Sequence, residues 1–158
     1  MRIQANYNFI DKKLMRGAPV ASPIKLLRMK KDGVNQIIDL RRSNPINKFV
    51  EKAFCKLLGI KYSNQPSSFR SGSGMTRDYF EKVNNMIVEN DGITYIHCKK
   101  GKHRTGLCVA AYEKEVMKKS NPEIIYNLYT NSFDELVTGQ RPSLKKALMS
   151  FAKLFDLR

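Results

Sequence analysis

Tryptophan is absent from this sequence, histidine occurs twice and cysteine three times. With two imidazoles and scattered thiols, no cluster of metal-ligand spacing can be drawn, so neither a metal nor another cofactor is expected. An odd number of cysteines argues against a disulfide framework and for a reducing compartment, which also suits a reactive thiol. No apolar run approaches bilayer-spanning length, and the first residues carry no apolar signal-peptide core. The expected address is cytosolic, with an effector secreted by another route left open. Internal repeats are missing too. The chain is therefore expected to form one domain over residues 1–158, large enough to bury a core without staples, and to be a monomer.

Acidic residues are also scarce: 14 Asp and Glu face 29 Lys and Arg, a formal charge of +15. Such an excess favours anionic partners, whether phosphorylated small molecules, anionic lipid headgroups at a membrane surface, or nucleic acid. A generally basic surface explains the same count. No nucleic-acid motif is visible, and aromatics are not interleaved with the basic clusters as a stacking platform requires.

What the sequence does contain is one organising stretch, Ile93-Thr94-Tyr95-Ile96-His97-Cys98-Lys99-Lys100-Gly101-Lys102-His103-Arg104-Thr105-Gly106. Its first half is apolar and β-branched and reads as a buried strand. Its end opens a helical pattern, Leu107-Cys108-Val109-Ala110-Ala111-Tyr112. A loop from a strand into a helix aims its backbone N–H groups at one point and makes an anion site. A thiol there is a nucleophile only as thiolate, and a helix N-terminus with nearby cations lowers its pKa. Arg104, six positions after Cys98, offers a planar fork for two phosphate oxygens. Thr105 can donate its hydroxyl to the thiolate, and Gly101 lets the turn approach the phosphate. These residues imply attack of Cys98 on phosphorus and hydrolysis of the resulting cysteinyl-phosphate. An inert core cysteine beside a solvated basic loop is the plainer alternative.

The order His-Cys-(five residues)-Arg-Thr-Gly resembles the signature loop of the cysteine-dependent protein tyrosine and dual-specificity phosphatases. Two further phrases resemble the small dual-specificity members: Leu14-Met15-Arg16-Gly17-Ala18-Pro19 near the start, and Arg141-Pro142-Ser143 before the last helix. The resemblance implies an α/β fold with a mostly parallel central sheet and helices on both faces, which the alternation of strand and helix patterns also suggests. It further implies that His97 orients the loop through a hydrogen bond. His103 is read either as a substrate contact or proton donor, or as an exposed histidine beside Arg104.

Periodicity organises the rest of the chain. Residues 7–10 and 13–17 suggest a hairpin, and Ser22-Pro23 an N-cap and first position of a helix ending near Asp32-Gly33. A strand is expected over 34–40, running into Asp39-Leu40-Arg41, which is similar to a strand-end phrase of the same superfamily; Asp39 is read as a strand-end partner of Arg41 or Arg42 in preference to a catalytic residue. An amphipathic helix is expected over 46–58, with Phe49, Val50, Ala53, Phe54, Leu57 and Leu58 on the core face and Cys55 packing among them. Helices over 76–89, from the signature loop to about 119, from Asn121-Pro122, and from Leu144 to Phe155 complete the pattern. Cys108 is expected in the core.

One departure from the resembled family is sharp. Residues 63–75, by position the loop that carries its general-acid aspartate, contain no Asp or Glu. The nearest candidate is Asp78, in the first turn of the next helix, where an acid also simply favours the helix dipole. Expelling an alkoxide needs a proton donor, whereas a phosphate leaving from a pyrophosphate needs little help. A displaced acid and a phosphoanhydride substrate are thus both open, and the Gly-Ser-rich loop could serve as a lid.

Within the loop, Cys-Lys-x-Gly-Lys-x-Arg-Thr-Gly is similar to lipid phosphatases acting on phosphoinositides. The half Gly-Lys-His-Arg-Thr-Gly is similar to plant-and-fungal atypical dual-specificity phosphatases, some of which cleave inositol pyrophosphates. Both imply a polyphosphorylated inositol, with Lys99, Lys100 and Lys102 meeting its charge alongside Gly101 and His103; solvated lysines acting on Cys98 at a distance are the alternative. Three functional readings stand: a phosphatase of inositol phosphates or phosphoinositides, a phosphatase of phosphoproteins using Asp78, and a phosphate-binding module without turnover.

Overall fold

The computed structural model describes residues 8–20, 22–42, 45–67, 75–136 and 142–158. In chain order these carry β1 (Asn8–Phe9), β2 (Leu14–Gly17), α1 (Pro23–Lys31), β3 (Val34–Asp39), α2 (Pro45–Leu57) and β4 (Lys61–Asn64). There follow α3 (Arg77–Val88), β5 (Ile93–His97), α4 (His103–Glu115), α5 (Asn121–Asn131), a 3-10 turn at Asp134–Leu136, and α6 (Pro142–Leu154). The strands lie in the order β1-β2-β5-β3-β4; β1 is antiparallel to β2, and β2, β5, β3 and β4 are mutually parallel.

Helix boundaries follow from local chemistry. Ser22 Oγ accepts from the Lys25 N–H and Thr76 Oγ1 from the Tyr79 N–H, each satisfying a donor that the helix start leaves open. Gly33, at φ +98°, lets the chain leave α1 and enter β3 at once. Helix α4 opens earlier than its apolar pattern, at His103, and ends at Glu115 rather than near 119, where Lys118 takes a positive φ of 57°.

Alternation along the strands sorts side chains onto two faces. Leu14, Ile38 and Ile96 meet α3, α4, α5 and α6 in one core, where Phe80 packs edge-on against Phe151 and Phe155. Met15, Ile37 and Tyr95 meet Leu26, Met29 and Cys55 of α1 and α2 in the other. A register shift between Val34 and Gln36 puts Val34 on the same side as Ile37. The connections from β2 through β3 to β4 step outward with α1 and α2 on one face. The return from β4 to β5 steps back, so α3 falls on the opposite face, as right-handed crossovers require. Where the direction reverses, at the C-terminal ends of β3 and β5, a doubly wound sheet opens its binding crevice. The loop after β5 begins there.

Helix α2 differs from its expected packing. Phe54 and Leu58 are half-buried against the second core, but Phe49, Val50, Ala53 and Leu57 face outward. The inward side is instead Glu51 and Cys55, 2% and 0% exposed. The reason lies in what Glu51 touches, described below.

Candidate active site

Cys98 is the first residue beyond β5 and is 4% exposed, beneath a loop that closes back onto it. Burial pushes its thiol up. The Thr105 hydroxyl, the Thr105 and Lys100 N–H groups and the charge of Arg104 all favour the thiolate; together they outweigh burial and hold Cys98 below the usual thiol value. Because α4 opens at His103, Thr105 lies in its first turn, so the thiolate meets N–H groups that the helix leaves unused. Thr105 itself is fully buried. Arg104 is half-buried and anchored by its Nη1, which donates to the Leu40 carbonyl at 2.9 Å.

The loop is clamped from behind. Gly101 has φ +66°, and a Cβ there would lie 2.3 Å from the carbonyl carbon and oxygen of Gly17. Only glycine allows both the turn and that contact. Arg16, 3% exposed, donates from Nη2 to the Gly101 carbonyl at 2.7 Å and to Ser132 Oγ at 3.0 Å. Burial lowers its pKa to about 10, with Cys98 and Glu113 acting the other way, so the guanidinium stays charged at neutral pH. Ser132 in turn packs where a Cβ on Gly106 would come within 2.1 Å of its Oγ.

On the opposite sheet face His97, fully buried, sets its Nε2 3.0 Å from Glu51 Oε1 and its Nδ1 3.4 Å from the Cys98 carbonyl oxygen. Arg41 donates to both oxygens of Asp39 and to Glu51 Oε2, and Tyr62 donates to Asp39 Oδ2 at 2.5 Å. Asp39 therefore pairs with Arg41, and its carboxyl lies below the usual range: burial raises it, but Arg41, His97 and Tyr62 prevail. Asp39, Glu51 and His97 bring possible ligand atoms within 4.8 Å of one another. Arg41 already supplies the cation between the two carboxylates, so the trio is a buried ion-pair network under the loop.

Lys99 and Lys100 are exposed, whereas Lys102 is half-buried and bound to both carboxylate oxygens of Asp134 at 3.0 Å. His103 is half-buried with its ring centroid 5.4 Å from that of Phe133. Asp78 is exposed in the first turn of α3, and among the described residues no hydrogen bond or ion pair joins it to the loop. Residues 68–74 of the acid-free segment lie outside the described residues, as does Arg141. Cys108 is fully buried with its thiol pushed up by burial, and burial pushes Cys55 up to about 12. Sequence reasoning misses the braces Arg16, Glu51, Ser132 and Asp134, because their contacts to the loop, to His97 and to one another bridge more than 30 residues of chain and leave no local pattern.

The thiolate arrangement makes a pH prediction. Thr105→Val removes a donor to the charged form, so the Cys98 pKa rises. Alkylation by iodoacetamide, followed against pH, is expected to shift its midpoint upward in the variant. An unmoved midpoint would show that Thr105 does not stabilise the thiolate.

No protein-family model matches the chain, and no curated protein sequence matches it. Solved structures do. PTPMT1 superposes with a TM-score of 0.68 at 22% identity, covering 95% of this chain and 96% of its own. The core catalytic domain of the PP-IP phosphatase SIW14 from S. cerevisiae gives 0.69 at 21% identity, covering 91% of this chain and 84% of its own. TpbA of P. aeruginosa gives 0.66 at 18% identity, covering 96% and 94%. The architecture built around the loop after β5 is thus the one the signature implies, the fold of the cysteine-dependent protein tyrosine and dual-specificity phosphatases.

Proposed function

We propose that the chain is a cysteine-dependent phosphatase that prefers highly anionic substrates, inositol phosphates or phosphoinositides. The observation that carries the catalytic reading is the buried Cys98, held below the usual thiol value by Thr105, the Lys100 N–H and Arg104. A binding module needs no such thiolate. Cys98 Sγ attacks phosphorus, the bond from phosphorus to the leaving oxygen breaks, and that oxygen takes a proton from an acid or departs as a stable anion. Arg104 binds two phosphate oxygens as charge shifts toward the leaving group. Water then attacks the cysteinyl-phosphate, the S–P bond breaks, and the thiolate and phosphate are restored, with the water proton passing to a base. Gly101 and the first turn of α4 turn their N–H groups to the phosphate.

Lys99 and Lys100, exposed at the loop, support a substrate bearing several phosphates. Two neighbours agree with this: PTPMT1 has a structure in complex with PI(5)P, and SIW14 is described as a PP-IP phosphatase. Lys102 favours a second reading, a phosphoprotein phosphatase, because Asp134 already takes its charge. TpbA has a structure in complex with pTyr.

Phosphate release from a phosphotyrosine peptide, phosphoinositides, inositol hexakisphosphate, an inositol pyrophosphate and an aryl phosphate separates the two. The expected best substrate is an inositol or phosphoinositide member; a phosphotyrosine peptide hydrolysed faster than every inositol compound would establish the second reading. In the same panel, Asp78→Asn is expected to slow alkyl esters by about 10²-fold or more and to spare the aryl phosphate, if Asp78 is the acid. Equal rates for all substrates would remove Asp78 from the reaction and leave Asp134, 3.0 Å from Lys102 in the loop, as the acid to test next.

A further inference from the structure

Helix α2 presents outward what a core helix would hide. Ile46, Phe49, Val50 and Leu57 are 74%, 74%, 37% and 79% exposed, and Ala53 is exposed among them. At 100° per residue, positions 46, 49, 50, 53 and 57 form one continuous stripe. Lys52 and Lys56, one turn apart and both exposed, border that stripe, while Lys48 turns toward β4 and donates to Asn64 Oδ1 at 3.1 Å. The single acid of the helix, Glu51, points the other way, into the network with Arg41 and His97. Helix α1 packs beside α2 and repeats the pattern: Ile24 and Leu27 are 65% and 43% exposed on a helix that carries four basic residues and no acid.

We propose that this face of α2 docks the protein onto an anionic lipid bilayer, lying in the plane of the interface. A thirteen-residue helix is too short to cross a bilayer, and among the described residues no helix is long and apolar enough to do so. A bilayer supplies negative headgroups directly above hydrocarbon, and lysines edging an apolar stripe match that layering. The network behind Glu51 fixes the helix from its inner side, so the stripe stays outward whether or not a surface is present. A second copy is a poor occupant, since it would bring the same lysines together on chains of charge +15. The proposal does not rest on the phosphatase reading.

Co-sedimentation with phosphatidylcholine vesicles, with and without phosphatidylserine, tests it. The wild type is expected to bind only the phosphatidylserine vesicles. The double variant Phe49→Asn with Leu57→Asn, unchanged in charge, is expected to bind them at least about tenfold more weakly. Lys52→Gln with Lys56→Gln is expected to weaken binding and flatten its salt dependence. Hydrolysis of an aryl phosphate, or where no hydrolysis is seen the melting temperature, should match wild type in both variants, since these side chains are exposed. Equal binding by the variant with Phe49→Asn and Leu57→Asn would overturn the proposal, because charge alone would then explain attachment. So would wild-type binding to neutral vesicles as tight as to anionic ones, or a wild-type dimer that the same variant abolishes.

Discussion

Cys98→Ser is expected to lower phosphate release by at least about 10⁴-fold on every substrate while phosphate analogues still bind. The substitution keeps the size of the side chain and leaves the loop its N–H groups, Arg104 and the Arg16 clamp. What it removes is a group that these surroundings can ionise. The donors around Cys98 bring a thiol below its usual value, but a serine hydroxyl starts far too high for the same donors to make an alkoxide near neutral pH. Binding and turnover therefore separate in this one variant. Residual release within tenfold of wild type would place the nucleophile elsewhere.

Arg104→Lys is expected to cost about 10²- to 10³-fold, mostly in kcat. Charge is conserved, so a loss of this size reports geometry. A guanidinium can hold the Leu40 carbonyl through Nη1 and still present a planar pair of donors, whereas an ammonium is a point charge on a flexible stem. The ground-state phosphate tolerates that exchange better than the transition state, whose equatorial oxygens carry the shifting charge. Steady-state kinetics on an aryl phosphate, whose leaving group needs no acid, isolates this effect. A variant that raised KM alone would reduce Arg104 to a binding residue.

The strand–loop–helix around Cys98 was legible because each part has a local signal: β-branched residues before it, Gly101 within it, and an apolar helical pattern after it. The two-faced sheet was legible for the same reason, since Ile37 and Ile38 or Tyr95 and Ile96 alternate by strand geometry alone. Helix α2 shows where such reasoning stops. Its apolar stripe is real, but amphipathicity names a face without saying what covers it. Here the inward side was chosen by Glu51, whose carboxylate lies between Arg41 and His97, residues from two other strands' ends. A buried charge needs its partners, and that requirement outranked the burial of Phe49 and Leu57. Arg16 was hidden for a related reason. Its phrase, Leu14 to Pro19, carries a resemblance but no contact, and only the fold brings the Gly101 carbonyl, 85 positions away, to its guanidinium.

In the proposed reaction, phosphate passes through Cys98. An aryl phosphate transfers its phosphoryl group fast and leaves hydrolysis of the intermediate as the slow step, so the intermediate should accumulate. Acid-quenching the reaction within the first turnover and locating phosphate by mass spectrometry is the direct measurement. The expected result is phosphate on the peptide that contains Cys98, with a burst of aryl alcohol matching the enzyme concentration. Turnover at full rate with Cys98 unmodified throughout would contradict it.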